Sequence, residues 1–170
     1  MGWLIEMTNS QQQQIFESWL QEHKGIFFKI VRSYSAVPQD QEDLFQEIAV
    51  NVWKSVPNFR NNCAVSTWIY RIALNRAVKW SLKVRKQQER ESDEEAIKVL
   101  QPIEEKPDER LAWLYEQIQK LDEVDRSLCL LMLDGFSYKE MASIVGISES
   151  YVGVKINRIK KYLTEQSKKM

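Results

Sequence analysis

Residues 137–163, SYKEMASIVGISESYVGVKINRIKKYL, contain two short helical patterns separated by a glycine. Apolar residues recur every three or four positions in both parts, as they do along one face of a helix. Gly146 suits the left-handed backbone of a helix end, and Ser148 is a favourable N-cap for the second helix. The pattern predicts a helix-turn-helix, whose second helix is able to enter the major groove of DNA. A helical hairpin without DNA binding remains the alternative.

The second of these helices has an apolar side and a polar side. Val152, Ile156 and Ile159 repeat at helical spacing and are predicted to face inward. The residues predicted to face outward and to meet DNA are Ser150, Tyr151, Lys155, Asn157, Arg158 and Lys161. Residues 150–170 hold six bases and one acid, a balance typical of a phosphate-binding surface.

Charge is segregated along the chain, although the formal net charge is zero. Residues 59–88 contain seven bases and no acid, whereas residues 89–109 contain nine acids and three bases. Two basic segments therefore flank an acidic one, and single-sign patches of this kind indicate nucleic-acid binding. Each patch taken alone is equally compatible with an ordinary solvated helix face.

The remaining periodicity is helical as well, and five glycines and four prolines are few for a sheet protein rich in turns. We predict an all-α chain with two small helical domains, residues 11–88 and 108–165. Residues 89–107, charged and interrupted by Pro102 and Pro107, are predicted to form the linker, and part of this segment could instead be a surface helix.

Three features of the first domain bear on function. Residues 15–34 carry one helical pattern, and a helix after Pro38 has an apolar line and an opposite polar side that includes Asp43 and Glu47. Residues 59–68 lack periodicity and are predicted to form a loop. The long helix that follows carries a polar, mostly basic stripe at intervals of four, formed by Arg71, Asn75, Lys79 and Lys83.

Two segments resemble the sigma factors of bacterial RNA polymerase. LDEVDRSLCLLMLDGFSYKEMASIVGISESYVGVKINRIKKYL is similar to their region 4, and DQEDLFQEIAVNVWKSVPNFRNNCAVSTWIYRIALNRAVKW is similar to their region 2. The order of the segments and the short linker resemble the extracytoplasmic-function group. The family usually has a small residue or Thr where Tyr151 stands, and a polar or basic residue where Gly153 stands. The resemblance therefore does not extend to a particular minus-thirty-five sequence.

The resemblance implies roles for named residues. Binding to the polymerase core is implied for Asp43, Leu44, Gln46 and Glu47. Recognition and melting of the minus-ten element are implied for the loop, the aromatic residue after it and the basic stripe, namely Arg60, Asn61, Asn62, Cys63, Ala64, Trp68, Arg71, Asn75, Lys79 and Lys83. Asparagine offers a donor and an acceptor to a flipped base. The alternatives are that the asparagines are turn residues and that Trp68 belongs to the core.

The expected function is that of an alternative sigma factor, with promoter DNA, the bacterial RNA polymerase core and an anti-sigma factor as partners. A stand-alone helix-turn-helix regulator with a helical dimerisation domain is the alternative. The sequence has no Gly-rich phosphate loop and no nucleophile–base set, so we expect no enzymatic activity. No cofactor, metal site, small-molecule substrate or membrane insertion is expected, and a cytoplasmic location follows from the resemblance.

Overall fold

The computed structural model describes residues 6–90 and 108–170, which form eight α-helices and one short 3-10 helix without a strand. The helices are α1 (Asn9–Glu22), α2 (Lys24–Tyr34), α3 (Pro38–Ser55), α4 (Val65–Arg90), α5 (Glu109–Lys120), α6 (Glu123–Leu133), α7 (Tyr138–Val145) and α8 (Glu149–Ser167), with the 3-10 helix Val56–Asn58 after α3. The prediction of an all-helical chain with two domains is confirmed for this part. The predicted linker lies outside the described residues from residue 91 onward.

Helices α1–α4 form a bundle around one apolar core. Phe27 of α2 and Leu44 and Ile48 of α3 have no exposed surface, as the helical spacing of these residues requires. Helix α4 contributes two fully buried alanines, Ala73 and Ala77, whose small side chains allow α2 and α3 to approach it closely. The long basic helix is thereby held firmly against the rest of this half.

The helical pattern of residues 15–34 is divided between two helices, α1 and α2. The chain bends at His23, which has φ −117° and ψ 22°, and α2 begins at Lys24. Trp19 before the bend and Ile26 after it are both buried. The periodicity therefore continues across the bend because both helices bury an apolar face in the same core.

Helices α5–α8 form the second half, and the predicted helix-turn-helix is confirmed. Ser137 caps α7 through a capping box with Glu140, and the Ser148 side chain accepts the N–H of Tyr151 at the start of α8. Gly146 ends α7 with φ 81°, in the left-handed region. The core of this half includes Cys129 of α6, whose thiol is fully buried.

Buried hydrogen bonds join the two halves. The Tyr34 hydroxyl lies 3.0 Å from the Glu123 carbonyl oxygen, to which it donates, and 2.9 Å from Ser127 Oγ. Burial raises the pKa of Tyr34 to about 12. At the other end of α6, the Asp134 carboxylate accepts from Lys29 Nζ at 2.5 Å and from the Tyr70 hydroxyl. The last turn of α6 is thus fixed to α2 and α4.

Two glycines of the helix-turn-helix should respond oppositely to alanine. A Cβ at Gly153 would lie 3.7 Å from a ring carbon of Tyr138, an ordinary contact, and alanine favours the helix. We expect Gly153→Ala to raise the free energy of unfolding by about 0.5–1 kcal/mol. At Gly146, alanine would have to adopt φ near +81°, and Gly146→Ala should lower that free energy by about 1–2 kcal/mol.

Urea unfolding of both variants beside the parent chain measures the difference. Both positions have room for a methyl group, so the pair isolates backbone conformation from packing. Destabilisation by Gly153→Ala would contradict the helical geometry described for α8.

Candidate nucleic-acid and polymerase interface

The exposed side of α3 carries the residues predicted to meet the polymerase core. Asp43 and Gln46 are exposed, and the Glu47 carboxylate is partly exposed and accepts from Arg76 Nε at 3.2 Å. Leu44 was wrongly included in this surface, because its exposed fraction is 0%. It lies on the line of Ile48 and belongs to the core, so it supports the surface from beneath.

A groove runs between this side of α3 and α4, and it carries both signs of charge. Its acids are Asp40, Asp43 and Glu47, and its bases are Lys54, Arg76 and Lys83. The pKa of Asp40 is raised, mainly by partial burial and secondly by the nearby Asp43 carboxylate. A surface of alternating charge such as this suits a polar protein partner better than a nucleic acid.

The loop before α4 has an unusual backbone at one asparagine. Asn61 adopts φ 58°, and Asn is among the few residue types that tolerate the left-handed region. This backbone conformation accounts for an asparagine at position 61, in agreement with the alternative that the loop asparagines are turn residues. Asn62 and Ala64 are exposed and Cys63 is partly exposed, whereas the Arg60 guanidinium donates to the Pro57 carbonyl at 3.2 Å. The side chain of Asn62 is therefore free to meet a ligand.

Trp68 is held by the structure on two sides. Its indole N–H donates to Ser55 Oγ at 3.0 Å, and its ring centroid lies 5.5 Å from that of Phe59. Phe59 in turn packs edge-on against Trp19. Trp68 is partly exposed and anchors the start of α4 to α3 and the loop. It contributes to packing, and a contact with DNA stays a prediction.

The basic stripe of α4 is exposed over most of its length. Asn75, Lys79 and Lys83 are exposed, whereas Arg71 at the upper end donates from Nη2 to Ser143 Oγ of α7 at 3.2 Å. Two further bases of this helix are paired with acids, Arg76 with Glu47 and Arg85 with Glu123. The positive charge available to phosphates is therefore smaller than the base count suggests, and it is concentrated along the stripe.

The outward face of α8 differs from the predicted one at one lysine. Ser150, Tyr151, Asn157, Arg158 and Lys161 are exposed, as predicted. Lys155 was wrongly placed on this face. Its side chain is 12% exposed and its ammonium lies 3.0 Å from the Asp125 carboxylate of α6. That hydrogen bond raises the pKa of Lys155, so the lysine remains charged and acts as a structural tie between α6 and α8.

Two exposed residues near this face were missed by the sequence analysis. Val154 is 48% exposed and lies one helical turn from both Ser150 and Arg158, and Tyr138 of α7 is 38% exposed. Both are apolar in the greater part of their side chain, whereas the residues predicted for this face were chosen outside the apolar pattern. The helical spacing of Val154 from Ser150 and Arg158 places it on the same face and could have predicted its exposure.

Within residues 6–90 and 108–170, no group of three His, Cys, Asp or Glu side chains is arranged to hold a metal ion. The same residues contain no helix that is both long and apolar enough to cross a membrane.

Two segments of the chain match sigma-factor families. Residues 19–89 match Sigma-70 region 2, and residues 111–163 match Sigma-70, region 4. RNA polymerase sigma-H factor of Pseudomonas aeruginosa is 29% identical over 164 residues, covering 82% of this chain and 84% of that protein. ECF RNA polymerase sigma-E factor of Escherichia coli K12 is 26% identical over 157 residues, covering 84% and 81%.

Two solved structures share the fold. CnrH, in complex with the cytosolic domain of CnrY, is similar over 94% of this chain and 92% of that one, with a TM-score of 0.66 and 21% identity. Sigma factor RpoE from Bartonella quintana, in complex with the anti-sigma factor NepR, is similar over 91% and 98%, with a TM-score of 0.70 and 20% identity. The arrangement of both helical halves is therefore one that sigma factors adopt.

Proposed function

The chain belongs to the sigma-70 family, in its extracytoplasmic-function group, and we propose that its two halves divide promoter recognition between them. It is an alternative sigma factor, which directs the core of bacterial RNA polymerase to specific promoters. In this proposal residues 11–88 bind the core and recognise and melt the minus-ten element, residues 108–165 recognise the minus-thirty-five element, and residues 89–107 connect them.

One observation carries the assignment. The mixed-charge side of α3, the asparagine loop and the stripe of α4 all lie within the segment that matches region 2, and the outward face of α8 lies within the segment that matches region 4. Each surface is thus found in the part of the chain where the family needs it. A simple dimeric regulator has no use for the first three.

For the core polymerase we propose the exposed side of α3, with Asp43, Gln46 and Glu47 as contacts. The carboxylate of Glu47 is already paired with Arg76, so the polymerase would meet a preformed ion pair here. A paired and oriented carboxylate loses less conformational entropy on binding than a free one. Asp43 is exposed and adds an acid beside it.

For the minus-ten element we propose that the loop reads bases and that the stripe holds phosphates. Asn62 has the donor and the acceptor that an extruded base edge requires. Lys79 and Lys83 have only donors and a charge, so they would strengthen binding and its salt dependence without direct base reading. Arg71, Asn75 and Trp68 would extend the same surface toward the loop.

The packed arrangement of the halves is incompatible with reading both elements at once. The two elements are named for positions about 25 base pairs apart, or roughly 85 Å along B-form DNA at about 3.4 Å per base pair. In the structure Arg71 of the stripe lies 3.2 Å from Ser143 of the helix-turn-helix half. We therefore propose that the halves separate, with loss of the Asp134 and Glu123 contacts, when the protein joins the polymerase on a promoter.

An anti-sigma factor is the third proposed partner, because the two similar structures described above are complexes, one with the cytosolic domain of CnrY and one with the anti-sigma factor NepR. A partner that holds the halves together would keep the protein inactive. We further propose that the protein works in the cytoplasm with the polymerase, and that it catalyses no reaction of its own.

Run-off transcription on fragments of the source genome tests the function. With polymerase core added, the protein should direct transcripts of defined length that core alone does not make. The protein without core should bind the same fragments weakly. Tight sequence-specific binding by the protein alone, with no core-dependent transcripts, would favour the stand-alone regulator.

Arg158→Ala should impair use of the minus-thirty-five element, because Arg158 lies on the exposed face of α8. Loss of a bidentate base contact costs about 1–3 kcal/mol, so the expected decrease in promoter affinity is about 5- to 150-fold at the preferred sequence. Holoenzyme binding to a set of minus-thirty-five variants measures it.

Lys120→Ala is the matched control, since Lys120 is an exposed base of the same half paired only with Glu116 on α5. An equal loss on every minus-thirty-five sequence would identify Arg158 as a phosphate contact. An unchanged affinity would exclude Arg158 from the interface.

Exchange of the loop asparagines should change minus-ten preference without unfolding the protein. Asn61→Gly preserves the left-handed backbone and removes the side chain, and Asn62→Gln moves the amide by one methylene. The double variant should keep its melting temperature and its affinity for polymerase core. Its ranking of single-base minus-ten variants, measured by run-off transcription, should change.

Asn58→Gln, an exposed asparagine of the neighbouring 3-10 helix, is the control and should keep the parent ranking. If the double variant also keeps it, the loop is only a connection between helices.

A further inference from the structure

Val154 lies in the middle of the exposed face of α8. The buried residues of this helix are Val152, Ile156 and Ile159, and Val154 is roughly opposite them on the helical wheel. Its side chain is 48% exposed. Ser150 and Arg158, each one turn away, are polar and exposed on the same side. The centre of the face proposed to meet DNA is therefore apolar.

A tyrosine from the neighbouring helix packs against α8 at Gly153, the residue before Val154. Gly153 has no Cβ, and a Cβ built there would lie 3.7 Å from Cε2 and 3.9 Å from Cδ2 of Tyr138. The ring of Tyr138 thus packs on α8 beside Gly153. Tyr138 is 38% exposed, and its hydroxyl has no hydrogen-bond partner among the described residues.

The other flank of Val154 is aromatic as well. Tyr151, one turn before Val154, is 45% exposed, and the Lys155 ammonium lies 5.1 Å from its ring centroid. Lys155 is itself tied to Asp125, so Tyr151 has a fixed neighbour. Three exposed, largely apolar side chains from α7 and the first two turns of α8 therefore lie on or beside a face that is otherwise polar and basic.

Valine cannot read a base edge by hydrogen bonding, because its side chain has neither a donor nor an acceptor. In the major groove the one apolar group that distinguishes bases is the C5-methyl of thymine, and apolar side chains are its usual partners. We propose that Val154 reads a thymine methyl group in the minus-thirty-five element, and that Tyr138, whose ring packs on α8 at Gly153, is a positioning residue. This inference rests on the proposed assignment of α8 to that element.

Replacement of thymine by uracil removes the methyl group and nothing else, and so tests the contact directly. The probe is a promoter duplex selected by the holoenzyme from a library randomised over the minus-thirty-five segment, with each thymine there replaced in turn. We expect one or two replacements to weaken binding about fourfold, as loss of one buried methyl group predicts (about 0.8 kcal/mol). The thymine-to-uracil ratio is the affinity of the holoenzyme for the thymine duplex divided by its affinity for the uracil duplex. For the Val154→Ala holoenzyme this ratio at those positions should fall to about one.

Val37→Ala is the matched control, because Val37 is a valine of equal exposure, 48%, in the other half. Its holoenzyme should keep the fourfold ratio. Tyr138→Ala should lower the ratio, whereas Tyr138→Phe should preserve it, since the ring and not the hydroxyl packs on α8 at Gly153. A general loss of folding stability would weaken binding to the thymine and uracil duplexes by the same factor and would leave this ratio unchanged. The ratio therefore separates a positioning role of Tyr138 from an effect on folding.

The outcomes distinguish this inference from the proposed function. If Arg158→Ala impairs minus-thirty-five use but the thymine-to-uracil ratio is the same for the parent and Val154→Ala, the methyl contact is overturned alone. A selected element without thymine overturns it too. If neither Arg158→Ala nor any uracil replacement changes holoenzyme binding, α8 does not read the element. The proposed function of this half is then wrong as well. An unchanged ratio for Tyr138→Ala overturns the role given to Tyr138.

Discussion

Different sides of helix α4 face the core of the first half, the helix-turn-helix half and solvent. The arrangement of the rest of the structure depends on this helix. One side is buried against α2 and α3 through small residues such as Ala73 and Ala77. A second side meets the helix-turn-helix half through Tyr70 and Arg85, which contact Asp134 and Glu123. The part of the stripe from Asn75 to Lys83 stays exposed, and it is the side of α4 that we propose for DNA. The same helix therefore links the core, the contact between halves and the proposed nucleic-acid surface.

Acids of the chain decide which bases stay available. Glu47 and Glu123 form ion pairs with Arg76 and Arg85 of the basic segment. Asp125 forms an ion pair with Lys155 of α8. The bases whose charge remains available to a ligand are those on exposed sides, such as Lys79 and Arg158. A neutral chain thus has two positive surfaces because many of its acids lie in residues 89–109 and others are paired where helices meet.

Most of the fold could be predicted because its signals are local. A turn glycine, a serine cap and the spacing of apolar residues act within a few positions of the chain, and Gly146, Ser148 and the α8 core were predicted correctly. The bend at His23 was missed because both helices keep their apolar residues on the core side. No local signal marked it.

The site was predicted less completely, for reasons that lie in tertiary contacts. Whether Lys155 faces DNA depends on Asp125, which is 30 positions away and joins it only once α6 packs on α8. Leu44 was included with its polar neighbours through resemblance, although its own periodicity with Ile48 marked it as core. Val154 and Tyr138 were overlooked because an apolar residue suggests a core until its exposure is known.

The two cysteines of the chain fall one in each half, and their surroundings differ. Burial raises the pKa of the Cys129 thiol to about 11, so little of the reactive thiolate exists at neutral pH, and the packed helices exclude reagents as well. Cys63 sits partly exposed in the asparagine loop. Alkylating reagents should therefore modify Cys63 in the folded protein and reach Cys129 only when the helix-turn-helix half opens, which makes the native chain its own two-site reporter of local unfolding.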